Sequence, residues 1–120
     1  MYVDSWRIPG GGVHEGEQPI PALIRQVKEE IGLDISHRPI ELIDNHGRDE
    51  AEKILDTGEH VIAKMKFTVY KVVLDKLAGD VRLNLDSREF VEYQWSDVKN
   101  LQKMQLTPPS VELFKRLGYL

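Results

Sequence analysis

The sequence contains no cysteine, which excludes disulfide bonds, zinc–thiolate sites and a thiol nucleophile. A membrane span is missing too, because no apolar run approaches the roughly 18 residues that a spanning helix needs. The first residues lack the basic start and the apolar stretch of a signal peptide. These absences predict a cytoplasmic protein with no membrane partner, and the lack of cysteine fits a reducing compartment.

An excess of basic residues is also missing. Lysine and arginine number 16 against 20 aspartates and glutamates, which gives a net charge of −4. Proteins that bind nucleic acids normally carry a basic face, so the charge balance predicts no nucleic-acid partner. It leaves a phosphorylated small molecule open, because cations can stand between an acidic site and a polyphosphate.

The chain is long enough, and contains enough hydrophobic residues, to form one domain. It has 120 residues, of which 41% are hydrophobic, and this length corresponds to about one domain. Strand-like and helix-like patterns alternate without a repeat or a linker. We therefore predict a single α/β (α+β) domain over residues 1–120.

The coarse pattern predicts each element from its apolar period and its breakers. The clearest strand is 59–74, where apolar and polar residues alternate. Residues 47–58 are polar and predict a loop with room for a helical turn at 49–55. The remaining predictions are strands at 3–8, 39–45, 81–85 and 90–95, and helices at 19–31, from Ser96–Asp97 to Leu101, and from Thr107–Pro108 to Gly118.

The residues with the most informative chemistry lie in the segment 11–33, GGVHEGEQPIPALIRQVKEEIGL. Residues three and four apart on a helix share a face, so Gln26 lies beside Glu29 and Glu30. Oxygen ligands clustered in this way suit Mg²⁺ or Mn²⁺. Arg25 is one turn before Glu29 and can orient it. The alternative interpretation is an amphipathic helix with a solvated acidic face.

The full spacing of this segment resembles the Nudix box, the signature of the Nudix hydrolase family. That motif places Gly, Glu, Arg-Glu, an aliphatic residue, Glu-Glu, Gly and an aliphatic residue at fixed intervals. Trp6 and Pro9 before the box are also typical of the family. Every defined position except one is matched here, by Gly11, Glu17, Arg25, Val27, Glu29, Glu30, Gly32 and Leu33.

The resemblance implies a Nudix fold, which is a mixed β-sheet sandwiched between helices. In the family the box forms a loop–helix–loop that holds Mg²⁺ or Mn²⁺, and the ions bridge to substrate phosphates and activate a water. Carried over to this sequence, Glu29 and Glu30 are metal ligands. Glu17 is a further ligand or supports one through water, Gly11 offers its carbonyl, and Arg25 organises the glutamates.

The resemblance also implies a substrate class, compounds that contain a nucleoside diphosphate linkage. We expect (deoxy)nucleoside triphosphates first, cleaved to monophosphate and pyrophosphate. Nucleotide sugars, dinucleoside polyphosphates and ADP-ribose stay open as alternatives.

One departure from the motif concerns Gln26, which stands where the family has glutamate. Glutamine keeps a carbonyl oxygen that can coordinate a metal weakly, but it has no charge and no basicity. Three interpretations compete. The general base lies elsewhere, the enzyme is slow, or the domain is an engineered or natural form that has lost catalysis and serves as a nucleotide-binding or regulatory module.

Glu89 is the best candidate for a base outside the helix. It lies in the segment SREFVEYQW, before Trp95, and many members of the family carry an acidic residue in the loop before a strand that ends in tryptophan. The alternative is a solvated loop glutamate. Glu92 is a weaker candidate, because it falls within the predicted strand.

The second departure is the short segment before the box. The family usually has at least two strands there, whereas only residues 1–10 precede Gly11 in this sequence. The missing strands leave an unpaired sheet edge, so a second chain supplies a strand, the sheet is rearranged, or the sequence is truncated. Of these we favour a homodimer that covers the edge.

Overall fold

The computed structural model describes residues 5–88 and 90–120. The described elements, in chain order, are α1 (Pro19–Ile31), β1 (Ile40–Ile54), β2 (His60–Val72), a 3₁₀ turn (Ala78–Asp80), α2 (Val98–Leu101) and α3 (Pro108–Arg116). No helix in this part of the chain is long and apolar enough to cross a membrane.

The described residues fall into two compact units. The hairpin unit consists of residues 5–6, 41–71 and 98–120, and the motif unit consists of residues 7–40, 72–88 and 90–97. The prediction of a single domain stays a prediction.

The hairpin unit is built on β1 and β2, which form a two-stranded antiparallel sheet. A tight turn joins them, in which the Leu55 N–H donates to the Glu59 carbonyl at 2.9 Å. Gly58 adopts φ 87° in this turn, a conformation that glycine accepts without strain. The predicted loop at 47–58 is therefore wrong, since β1 continues to Ile54. Its second half is mostly exposed, so no apolar alternation indicates the strand.

Helix α3 completes the hairpin unit and follows the predicted pattern. Thr107 precedes it and Pro108 occupies its first turn, while Leu113 is buried. Trp6 forms a parallel bridge with Leu106 just before this helix. Of the predicted strand 3–8, residues 3 and 4 lie outside the described residues, and Trp6 alone is paired among the rest.

The motif unit is organised by α1, which has the predicted bounds. Proline occupies its first turn, and Gly32 ends it in the left-handed conformation at φ 71°. A Cβ on Gly32 would lie 2.8 Å from the Asn84 Cβ, so no other residue fits there without displacement. The apolar residues buried in this unit are Ala22, Ile31, Ile35 and Val81.

The strands predicted at 81–85 and 90–95 are wrong, because the described residues of both segments are assigned no strand. Within the first segment and directly after it, two backbone donors bind the end of α1 instead of a sheet. The Asn84 N–H donates to the Ile31 carbonyl and the Asp86 N–H to the Glu30 carbonyl, both at 2.8 Å. The apolar alternation at 81–85 therefore belongs to a segment that is hydrogen-bonded to the helix end.

Candidate active site

Residues 10–17, which we call the glycine loop, fold back onto glutamates of the motif unit. The Gly10 N–H donates to Glu30 Oε2 at 2.9 Å. The His14 N–H donates to Glu17 Oε1, and the Glu17 N–H donates in return to the His14 carbonyl, both at 3.0 Å. These hydrogen bonds hold the backbone of the glycine loop and the two carboxylates in a defined relative position.

Arg25 connects this loop to the helix. Its Nε and Nη2 bind the two oxygens of Glu17 at 2.8 and 2.9 Å. Its Nη1 binds Glu29 Oε2 at 3.0 Å, and Nη2 also donates to the Gly12 carbonyl at 3.0 Å. The planar guanidinium suits such bidentate pairing with a carboxylate. One side chain therefore orients two of the predicted glutamates and one loop carbonyl.

The ion pair changes the acidity of its members. The hydrogen bonds from Arg25, and after them the one from the His14 N–H, lower the pKa of Glu17 from 4.5 to about 2. The hydrogen bond to Glu17 raises the pKa of Arg25. Glu17 is therefore ionised at neutral pH, and both its oxygens already accept hydrogen bonds. This arrangement favours the supporting role among the two that the resemblance left open for Glu17.

Gln26 faces the same loop from the next position on the helix. It is 7% exposed, and its Nε2 donates to the Gly12 carbonyl at 2.6 Å. A carbonyl can only accept, so the amide nitrogen must be the group that faces Gly12. The Gln26 carbonyl oxygen, which was predicted as a weak metal ligand, points away from that contact.

Glu29 and Glu30 line an open cavity of about 600 Å³ together with Asp86 and Arg88. Arg88 binds both oxygens of Asp86 at 3.0 Å, and this pairing lowers the pKa of Asp86. Asp86 and Arg88 were not among the predicted site residues. Both residues lie just before Glu89 in the sequence, and this proximity to the predicted base was the signal that could have found them. Glu89 itself lies outside the described residues.

The residues fit a divalent cation that is shared with a polyphosphate. Among residues 5–88 and 90–120, no group of three or more histidines and carboxylates is arranged to hold a metal ion. Mg²⁺, however, is commonly held by one or two carboxylates, with water and substrate phosphates completing its shell. Glu29 and Glu30 on one cavity meet that requirement. Gly11 lies beside Glu30, since a Cβ built on Gly11 would be 3.6 Å from Glu30 Oε1.

Comparison with known proteins places this chain in a family. The model of the NUDIX domain matches residues 2–117. The chain belongs to the Nudix family. It is 33% identical to the RNA pyrophosphohydrolase of a Nitratiruptor species, over 97% of this chain and 77% of that protein. It is 32% identical to the RNA pyrophosphohydrolase of a Helicobacter pylori strain, again over 97% of this chain and 77% of that protein.

Two predictions are thereby confirmed. The chain has the Nudix fold, with mixed α and β structure, and the enzyme class is that of a Nudix pyrophosphohydrolase. Nudix hydrolases generally use divalent metal ions. The roles of the individual box residues stay predictions.

Proposed function

We propose that this Nudix protein removes pyrophosphate from the 5′-triphosphate end of RNA and leaves a 5′-monophosphate, with Mg²⁺ or Mn²⁺ as cofactor. The cavity lined by Glu29 and Glu30 is the observation that carries the proposal, because two carboxylates and a polyphosphate are what a divalent ion needs. The similarity to proteins named RNA pyrophosphohydrolase supports RNA as the substrate, contrary to the prediction from net charge that the chain has no nucleic-acid partner.

Each residue of the site has a task in this reaction. Glu29 and Glu30 would hold the ion, and a bound ion would supply charge neutralisation of the phosphates and activation of a water. Arg25 fixes the direction of Glu29, and the Gly10 N–H fixes one oxygen of Glu30. Arg88 brings a positive charge to the same cavity and can contact a phosphate. Glu89 is the proposed base that accepts the proton of the water.

A free (deoxy)nucleoside triphosphate is the second candidate substrate. The net charge of −4 favours it, because a long RNA is repelled by an acidic protein and a short nucleotide far less. The chemistry at the cleaved linkage is the same, so the two candidates differ only in whether further nucleotides are attached to the first one.

A domain that binds nucleotides without cleaving them is the alternative of a different class. Gln26 favours it, since an amide at that position cannot act as a base and its nitrogen is committed to Gly12. A protein that binds the metal but hydrolyses none of the substrates tested would support that alternative.

We further propose that the protein is cytoplasmic and forms a homodimer. Among the described residues β1 and β2 pair only with each other, and unpaired edges invite another strand. Ile54 and Ile62 are exposed at 68% and 66% on this hairpin. Light scattering across a concentration series measures the mass, and a monomer throughout contradicts the dimer.

The deciding experiment measures release of phosphate and pyrophosphate from 5′-triphosphorylated RNA, NTPs, dNTPs, nucleotide sugars and dinucleoside polyphosphates. Each is tested with Mg²⁺ and with Mn²⁺, on wild type and on Gln26→Glu. We expect metal-dependent release of pyrophosphate from the RNA by the wild type. A preference for free triphosphates selects the second candidate. If the wild type hydrolyses nothing and Gln26→Glu does, the lack of activity is due to the missing negative charge at position 26.

A further inference from the structure

Gln26 is one of the few polar side chains that the described part of the chain buries. Its amide nitrogen lies 2.6 Å from the Gly12 carbonyl, so its hydrogen bond runs from the helix to the glycine loop. A buried polar group without a partner is costly, whereas a satisfied one fixes a single conformation. The loop is therefore tied to α1 by a neutral donor.

A carboxylate cannot replace this donor. It has only acceptor oxygens when ionised, and placing it against the Gly12 carbonyl would oppose two partial negative charges. Arg25 Nη2 also reaches the Gly12 carbonyl, at 3.0 Å, but the same guanidinium is already shared with Glu17 and Glu29.

The second neighbour of Gln26 is the predicted ligand Glu30. A Cβ built on Gly11 would lie 3.6 Å from Gln26 Cδ and 3.6 Å from Glu30 Oε1, so both side-chain ends meet the loop at one point. A carboxylate at position 26 would stand close to that of Glu30. Two such charges repel unless a cation lies between them.

We propose that Gln26 is a positioning residue that orders the glycine loop before any cation binds, a task that a carboxylate at this position could perform only together with a divalent ion. With glutamine at position 26 the site has one negative charge fewer for binding a metal, but its loop is already ordered before the metal binds. The assignment does not depend on which substrate is hydrolysed.

Hydrogen exchange followed by mass spectrometry tests the proposal on the amides of residues 10–17, several of which are hydrogen-bonded. Wild type, Gln26→Glu and Gln26→Met are compared in EDTA and in Mg²⁺. The methionine variant has similar length but no donor and no charge. The amides of α3, in the hairpin unit, serve as the internal reference.

In EDTA we expect slow exchange in the wild type and exchange about tenfold faster in both variants, because a buried hydrogen bond is lost. Mg²⁺ should restore slow exchange in Gln26→Glu and leave Gln26→Met fast. A merely structural role for Gln26 predicts no such difference between the variants. Wild-type exchange in both variants, or equal Mg²⁺ effects on them, overturns the proposal.

The EDTA comparison needs no metal and no turnover, and Gln26→Met alone suffices for it if Gln26→Glu does not fold. Only the Mg²⁺ comparison rests on the proposed metal-dependent function. A wild type that orders its loop in EDTA but hydrolyses nothing rejects the proposed function and keeps the role of Gln26. If the wild type hydrolyses a substrate and both variants exchange as slowly as the wild type, the proposed function is kept and the role of Gln26 is rejected.

Discussion

Arg116 and Arg25 each bind a carboxylate in bidentate fashion, one in each unit of the molecule, and they do so in different surroundings. In the hairpin unit Arg116 holds Asp44 at 3.0 and 2.9 Å, and the Asp44 side chain is only 4% exposed. In the motif unit Arg25 divides its donors between Glu17 and Glu29, whose side chains are 17% and 59% exposed.

The difference indicates different tasks for the same chemistry. The Asp44–Arg116 pair joins β1 to α3, and its carboxylate is buried while its guanidinium is 31% exposed. Losing one partner breaks a largely buried pair, and such a loss acts on stability. The Arg25 network joins a loop to a helix beside an open cavity. The Arg25–Glu17 pair is half-buried and Glu29 is exposed. Pairs that stay near solvent contribute little to stability, so the main effect of the Arg25 network is on the direction in which the glutamates point.

The largest effect is expected when the carboxylates of the cavity are neutralised. Glu29→Gln and Glu30→Gln should each lower metal-dependent turnover by more than about 100-fold, since even indirect partners of a metal change activity by 10–100-fold. Thermal unfolding should be nearly unchanged. Glu59→Gln, in the exposed turn of the hairpin, is the matched control. Full activity in either cavity variant refutes the role assigned to that residue.

A smaller effect, on stability only, is expected in the hairpin unit. Asp44→Asn leaves Arg116 without its counter-charge and should lower Tm by on the order of 5–10 °C. Turnover per folded molecule should stay within about twofold, because no described contact of Asp44 reaches the cavity residues.

Adding Arg116→Met to Asp44→Asn should recover part of the lost Tm, since removing both charges costs less than stranding one. Calorimetry of the two variants and the wild type provides the measurement. A double variant less stable than Asp44→Asn would mean that Arg116 stabilises the unit by packing and not through its charge.

The contrast between the units also shows what the sequence could predict. The apolar stripe, the early prolines and Gly32 fixed the bounds of α1 in advance, because these are local signals. The same reasoning failed at 81–85, where alternating residues suggested a strand. Whether such a segment pairs with a sheet or with a helix end is decided by distant residues, here Ile31 and Glu30.

The contacts of the candidate site also include some that the sequence predicts and some that it does not. The pairing of Arg25 with Glu29 follows from their positions one turn apart, and the spacing predicts it. The bonds from Arg25 to Glu17 and from Gln26 to Gly12 depend on how the glycine loop folds back. No helical period encodes that path, so these contacts appeared only in the structure.

The smallest effects concern pH, to which the two pairs respond in the same direction, and salt, which distinguishes them. The folded-state pKa of Glu17 is about 2, below its ordinary value of 4.5, because Arg25 and the His14 N–H stabilise the ionised form. A lowered pKa contributes stability that is complete above about pH 4.5 and is lost as the pH falls toward 2. Glu17→Gln should therefore be less stable than the wild type at pH 7, and the difference should shrink below pH 4.5.

The pKa of Asp44 is also lowered, by Arg116, so Asp44→Asn should show the same trend in acid. The effect of salt on stability distinguishes the two variants. Screening weakens charge pairs near solvent far more than buried ones, so urea unfolding in high salt should reduce the Glu17→Gln difference at pH 7 and leave most of the Asp44→Asn difference. Equal salt sensitivity would show that the Arg25 network is as shielded from solvent as the Asp44–Arg116 pair, and that its position beside the open cavity does not weaken it.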